Sequence, residues 1–316
     1  MNVEEIPGKL KESVDALRLG LVDLRIQLLA RRVLLELHDD GLRGVVVDRT
    51  GETIEVPLPP GTCHQGQPRE IEAIGDLIGD LFLDLGLVGA KVGACLPLQA
   101  CRWTVVRWPQ GLMPESGRTE LRLRAPDLGF PWPLSDVYLE VEPLPGTPAR
   151  SLVVASPRQL VDSWVEVFDL AGVQLQRLLP AQACQWAVLA GPGAPEMAPA
   201  EELWLLEIER QQSRLWLVTG DAPVADWSLP GNRRADGLDP ALQRELQRCR
   251  RFWQHHSGSQ APQRWLVYGD AERVAAVEPE LQQQLPAGVL QRWPASSPAA
   301  PGDLRLAGLR LCMGWS

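Results

Sequence analysis

Two stretches of this chain place carboxylates and an arginine at matching positions. Residues 33–47 read VLLELHDDGLRGVVV and residues 204–218 read WLLEIERQQSRLWLV, so Leu34, Leu35, Glu36, Arg43 and Val47 recur as Leu205, Leu206, Glu207, Arg214 and Val218. Each stretch is an apolar strand bearing one acid, a polar turn, and a second apolar strand bearing one arginine. Glu36 and Glu207 have the chemistry of hard oxygen ligands for a divalent cation, of solvated turn carboxylates, or of ion-pair partners for Arg43 and Arg214. His38, in the first turn, reads as a turn or packing histidine rather than a base. The adjacent carboxylates Asp39 and Asp40 stand where a phosphate-cradling turn needs glycine and hydroxyls, and two such charges repel a triphosphate unless metal ions intervene.

A hairpin at the head of each half implies two related subdomains facing each other across a cleft, with sheets buried on both faces by crossover helices and the hairpin turns pointing inward. Ahead of the first hairpin, Leu10, Val14, Leu17, Leu21, Leu24 and Leu28 form one apolar seam, which predicts a helix over 9–31 that packs back on the body or offers a partner its groove. Alternation and short apolar runs predict strands at 53–57, 91–96, 102–106, 137–141, 151–155, 173–178, 224–227, 264–268 and 289–292. Helical periodicity predicts helices at 69–85, 118–124, 157–170, 180–189, 240–256, 272–284 and 304–313. Residues 59–68, 126–133 and 294–301 read as loops, and the Pro/Gly/Ala run at 191–200 as the main boundary.

Composition narrows the function classes. With 316 residues, 45% hydrophobic content and 22% charge, the chain reads as a soluble globular protein of two ordinary domains. A net charge of -9 makes a nucleic-acid backbone or a bare anionic membrane a poor partner. The cysteines Cys63, Cys95, Cys101, Cys184, Cys249 and Cys312 are scattered with no CxxC pair, which suggests buried free thiols in a reducing cytoplasm rather than a metal centre. Residues 1–8 lack the basic and apolar order of a signal peptide, and the longest apolar stretch, 81–98, is cut by Asp84 and Lys91. Arg248, Arg250 and Arg251, followed by His255 and His256, form a basic helix end favoured by the helix dipole, either a solvated face or a contact for an acidic partner.

Several local signatures resemble one family. KVGACLP at 91–97, the stretch 119–144, SLVVASPRQLVDSWVEVFDLAGVQLQRLLPAQACQWAVL at 151–189, WLVYGD at 265–270 and AGLRL at 307–311 resemble, in order and pattern, the PilM proteins of type IV pilus assembly. These are cousins of FtsA in the actin-like ATPase superfamily, and the similarity covers most of residues 32–316. The resemblance implies an α/β actin-like, ribonuclease H-like fold of duplicated subdomains facing a cleft. Its divisions would be an N-terminal amphipathic helix at 1–31, a first subdomain (1A) at 32–101 and 181–200, an inserted 1C-like α/β subdomain at 102–180, and a second subdomain (2A) at 201–316 whose 2B part is reduced or missing.

The resemblance places the family's nucleotide site at Glu36, His38, Asp39, Asp40, Arg43, Glu207, Glu209, Gly269 and Asp270, and those positions depart from the family pattern. A Gly-Ser-Ser-rich turn is replaced by His38-Asp39-Asp40-Gly41, an Asp-x-Gly by Glu207-Ile208-Glu209, and a Gly-Gly by Gly269-Asp270, while little chain remains for 2B between Gly231 and Pro240. The implied protein is a non-catalytic scaffold that has lost ATP and Mg²⁺ binding, with no catalytic residue and no metal site. It would bind the cytoplasmic tail of a PilN-like inner-membrane protein between 1A and 1C, join the pilus alignment complex at the cytoplasmic face, touch the membrane only through partners, and have the option of self-association. The alternatives are an active ATPase or small-molecule kinase of the same superfamily, or a type II secretion platform component, the latter set aside because no membrane helix follows before Ser316.

Overall fold

The computed structural model describes residues 31–47, 53–108, 119–121, 128–144, 149–191, 201–210, 212–220, 222–258, 262–286, 289–293 and 304–315. All but the last residue of the helix expected at 9–31, nearly all of the linker at 191–200 and the loop at 294–301 lie outside these residues, as does much of the helix expected at 118–124.

The first sheet begins with an antiparallel meander, β1 (Arg32–Leu37), β2 (Gly41–Val46) and β3 (Thr53–Pro57), and adds β6 (Lys91–Leu96) parallel to β1 and then β10 (Gln174–Pro180), giving the order β10-β6-β1-β2-β3. The second sheet repeats this plan. Strands β11 (Glu202–Ile208), β12 (Gln212–Thr219) and β13 (Ala222–Pro230) form the meander, and β14 (Gln263–Gly269) and β15 (Leu290–Arg292) extend it in parallel, in the order β13-β12-β11-β14-β15. The duplication extends to register: Glu36 lies opposite Arg43 in one hairpin and Glu207 opposite Arg214 in the other.

Side chains alternate across a strand, so each sheet presents two apolar faces. On the outer face of the first sheet, Val33, Leu35, Val92 and Ala94 pack beneath α1 (Ile71–Asp84) and α2 (Arg158–Leu170), which contribute Ile74, Ile78, Phe82, Trp164 and Phe168. On its inner face, Leu34, Val45 and Cys95 meet α3 (Ala181–Ala190) and α6 (Leu304–Met313). The second sheet sends Trp204, Leu206, Leu215 and Val267 outward to α4 (Pro240–Ser257) and α5 (Ala271–Gln284). Helices α3 and α6 therefore lie between the sheets. Their approach requires Gly308, because a Cβ there would run into the carbonyl of Cys184.

The helix limits have local causes. Asp239 caps α4, accepting from the Ala241 amide at 2.8 Å, Pro240 occupies the first turn, and Gly258 stops the helix at φ +59°. The Arg-rich end of α4 terminates at His255 and His256, as the sequence suggested, but Arg250 folds away from its neighbours to lie over the Trp265 ring at 5.8 Å.

Two expectations are revised. The supposed loop at 59–68 contains a small hairpin, β4 (Cys63–His64) with β5 (Gln67–Pro68), whose tight turn uses positive φ at Gln65 and Gly66. The insert's antiparallel sheet consists of β7 (Arg102–Arg107), β9 (Arg150–Pro157) and β8 (Val137–Leu144) in that order. The boundary read at 180 falls too late, because β10 pairs with β6 and so belongs to the first sheet. Between β13 and α4 the chain crosses directly at residues 231–239, held by the buried Asn232, which donates to the carbonyls of Arg234 and Gly237 and accepts from the Asp239 amide. The sequence leaves little chain there for a 2B part, and residues 231–239 form neither helix nor strand. Replacing Gly308→Ala should push α3 and α6 apart and lower stability by about 1–3 kcal/mol, the usual range for overpacking, measured by thermal or urea denaturation.

Candidate functional site

The two hairpins face each other across a cavity of about 970 Å³ lined by residues of both turns. The decisive group in it comes from neither hairpin. Arg305, in the first turn of α6, is 4% exposed and forms short ion pairs through Nε with Glu36 and through one terminal nitrogen with Glu207. Glu36 shares its face of β1 with Leu34, and Glu207 its face of β11 with Leu205, so the period-2 alternation turns both acids inward onto α6. His38 Nε2 stands 3.2 Å from Glu36.

Ion pairs of Glu36 with Arg43 and of Glu207 with Arg214 are among the readings the sequence leaves open. The structure sends both arginines elsewhere. Arg43 crosses the cleft and makes a two-pronged contact with Glu209 of the opposite hairpin, at 2.6 and 2.9 Å. Arg214 turns to Asp226 on β13 with its own two-pronged contact, and Trp103 of the insert donates to the same carboxylate at 3.0 Å. The physical reason is competition: the buried acids already have Arg305, and the fork of each guanidinium matches a free carboxylate within reach.

The remaining predicted positions separate into supports and lining. Asp39 does not point at the cavity as a free charge; it accepts the Gln65 and Gly66 amides at 2.9 and 2.6 Å and so holds the turn of the β4–β5 hairpin. Asp40 is exposed and lines the cavity. Gly269, at φ +118°, has no room for a Cβ against the Ile208 backbone, so this position needs glycine whatever binds nearby. Asp270 caps α5 by accepting the Glu272 and Arg273 amides, both at 3.1 Å, and lies 3.4 Å from the Arg273 guanidinium. Among the described residues, no group of three or more His, Cys, Asp or Glu side chains is disposed to hold a metal ion. The cysteines are free and, apart from the partly exposed Cys312, buried.

Sequence reasoning missed Arg305, Asp226 and Trp103. Arg305 had one visible signal: a lone arginine in the first turn of an otherwise apolar helix, LRLAGL, where burial demands a charge partner.

Electrostatics follow from counting charges. One guanidinium faces two buried carboxylates, so one negative charge is left over. Burial raises the Glu207 carboxyl; Arg305 pulls it back, Glu209 and Glu36 push it further up, and it settles at about 7, well above the ordinary 4.5. For Arg43, burial opposes the cation, yet the Glu209 hydrogen bond and charge more than compensate and raise it above the usual guanidinium range. Burial also raises the Tyr268 phenol, which accepts from Gln185 Nε2 of α3 at 2.8 Å.

No protein-family model and no curated protein matches the sequence. Among solved structures, a chain of a PilM-PilN type IV pilus biogenesis complex superposes at TM-score 0.70 over 90% of this chain and 98% of that one, with 20% sequence identity. A Bacteroides thetaiotaomicron protein of unknown function with an actin-like ATPase fold aligns over 90% of this chain and 96% of its own, at TM-score 0.50 and 7% identity. This chain has the actin-like fold. The cytoplasmic domain of EpsL, an inner-membrane component of the type II secretion system of Vibrio cholerae, gives TM-score 0.49 at 12% identity over 90% of this chain and 96% of that one. In the actin-like frame, Glu36 and Glu207 are equivalent positions on the leading strands of the two subdomains, and Arg305 joins them across the cleft. Among the described residues, no helix is long and apolar enough to cross a membrane.

Removing the shared cation leaves two buried acids facing each other. Arg305→Met should lower stability by about 3–5 kcal/mol near neutral pH. For Glu207 the sign is fixed by its raised value: folding takes up a proton between about 4.5 and about 7, so stability falls as pH rises through that window. Relative to the parent, Glu207→Gln should therefore gain stability on going from about pH 5 to about pH 8, by on the order of a few kcal/mol, in urea denaturation at stepped pH.

Proposed function

We propose that this protein is a non-catalytic scaffold of a type IV pilus assembly machine, that it has lost nucleotide binding, and that it holds an extended cytoplasmic tail of a PilN-like inner-membrane protein. The observation that carries the reading is the clamp of Arg305 on Glu36 and Glu207. A nucleotide-binding actin-like cleft needs bare backbone and a cation free to meet phosphate. Here Glu36 and Glu207 already share Arg305, Arg43 and Glu209 cross the space between the turns, and Asp40 adds a further negative charge at the rim. A triphosphate entering this cavity would have to break those pairs and approach carboxylates, which electrostatics disfavours.

The partner half of the reading is supported by a second cavity of about 1110 Å³ between the first subdomain, the insert and β13. Two sheet edges, β7 and β13, face it. An extended peptide lying there could add main-chain hydrogen bonds to an edge while its alternate side chains enter pockets. Arg69, Arg102 and Arg107 are exposed along this groove, so the segment it suits carries acids as well as apolar groups. The superposition on a chain from a PilM-PilN complex supports that choice of partner. The protein then reaches the inner membrane through the partner's tail.

Two measurements test the two halves separately. Thermal unfolding with Mg-ATP should show no shift, whereas a ligand at about 100 times its dissociation constant stabilises by roughly 2.7 kcal/mol; a shift abolished by Glu36→Ala would restore the ATPase or kinase reading. A fluorescent peptide of the PilN-like tail should bind by anisotropy without nucleotide, and Arg69→Glu with Arg102→Glu should weaken it by about tenfold or more. Binding unaffected by those exchanges would move the partner away from this groove.

A further inference from the structure

Three thiols meet where α3 crosses α6. The two helices touch at Cys184 and Gly308, the Cys184 carbonyl occupying the space that a Cβ of residue 308 would take. Cys312 lies one turn beyond Gly308, on the same side of α6, and its thiol comes within hydrogen-bonding reach of the Cys184 thiol. Cys95, on β6, approaches Cys184 in the same way. Cys95 and Cys184 are sealed among Leu34, Leu306 and Leu309, whereas Cys312 is partly open to solvent. The end of α6 is held in place, because Arg177 donates to the Cys312 carbonyl at 3.0 Å and Met313 packs over Gly93.

The three sulfurs differ in what they can do. The hydrogen bond from Cys184 lowers the Cys312 thiol, more than burial and the Glu142 carboxylate raise it, and so favours the thiolate, the nucleophilic form. Cys184 is raised well above an ordinary thiol by its hydrogen bonds with Cys312 and Cys95, then by burial, and keeps its proton. Cys95 donates to the Leu96 carbonyl at 3.7 Å and has no exposed surface. We propose that Cys312 is a site of oxidation by hydrogen peroxide and that Cys184 resolves it, closing a disulfide between α3 and α6. The Cys312 sulfur attacks one peroxide oxygen: an S–O bond forms, the O–O bond breaks, and the departing hydroxide takes a proton from solvent and leaves as water. The Cys184 sulfur then attacks the resulting sulfenic acid at sulfur. An S–S bond forms, the S–O bond breaks, and the oxygen leaves as a second water with the proton that Cys184 gives up. Two thiols lose two electrons, and the two peroxide oxygens gain them. The bridge fastens to α3 the helix that carries Arg305, and so holds in place the group that joins Glu36 to Glu207. This inference depends on neither the partner tail nor the state of the cleft.

The test treats the full chain, reduced and then freed of reductant, with hydrogen peroxide in about tenfold excess. Thiols titrated in denaturant should fall by two of the six and return on treatment with dithiothreitol. After the free thiols are blocked, proteolysis without reduction should give one bridged pair of peptides in the mass spectrum, carrying Cys184 and Cys312. Cys184→Ser should stop at the sulfenic acid, which dimedone labels at Cys312; Cys312→Ser should keep all its thiols at the same exposure, and Cys95→Ser should still close the bridge. Circular dichroism checks that each variant is folded. Should Cys184→Ser fail to fold, the parent answers alone: dimedone added together with peroxide competes with Cys184 and should label Cys312 and no other cysteine. A parent with all its thiols intact, a bridge between any other pair, dimedone on a different cysteine, or a Cys312→Ser variant that loses thiols as the parent does would each overturn the proposal.

Discussion

A single guanidinium between two buried carboxylates organises this molecule. Arg305 belongs to the last helix, Glu36 to the first strand of the first sheet and Glu207 to the first strand of the second, so one side chain connects the three parts that meet at the base of the cleft. The contact exists because strand alternation turns both acids inward and because Gly308 lets α6 settle against α3. Buried ion pairs of this kind are poor sources of net stability, since well-packed apolar side chains of similar volume often do as well. In this arrangement of the two subdomains one guanidinium reaches both acids at once. Burial first, and then the charges of Glu209 and Glu36 that Arg305 only partly offsets, explain why the Glu207 carboxyl is raised to about 7.

The same constraint governs what the cleft can accept. Its rim is spanned by Arg43 and Glu209, which would otherwise offer a guanidinium to an anion, and its mouth carries Asp40. The neighbouring groove has the opposite character, with arginines exposed along it and two sheet edges within reach. Trp103 links the two regions: it lies in the insert's edge strand, packs edge-on against Trp216 at 6.0 Å, and donates to the Asp226 carboxylate that also receives Arg214. Through that contact the insert is tied to the second subdomain as well as to the first, so the groove's two walls are held in register by the same charged groups that surround the cleft.

Much of this architecture was legible in the sequence, because it is written in local pattern. The repeated hairpins, the strand at 91–96 and the helices at 157–170 and 304–313 follow from alternation, apolar seams and glycine stops that act within a few residues. What depended on contacts between distant segments was not legible. Glu36 and Arg43 are opposed in the ladder, and nothing local shows that Arg43 reaches to Glu209 instead. Asp39 reads as a free turn carboxylate until the β4–β5 turn folds over it. Strand β10 follows the insert in sequence, and only its parallel pairing with β6 assigns it to the first sheet. Arg305 was half legible: an arginine among leucines announces a buried charge, but not which acids it serves.

The geometry of the closed cleft has a mechanical meaning. The α3–α6 crossing at Gly308 sits at the base, and the Arg43–Glu209 contact sits across the mouth, so the two subdomains are joined at both ends of the lever arm about which they would swing. Parting the two subdomains would therefore have to break the Arg43–Glu209 contact as well as separate the helices that meet at Gly308.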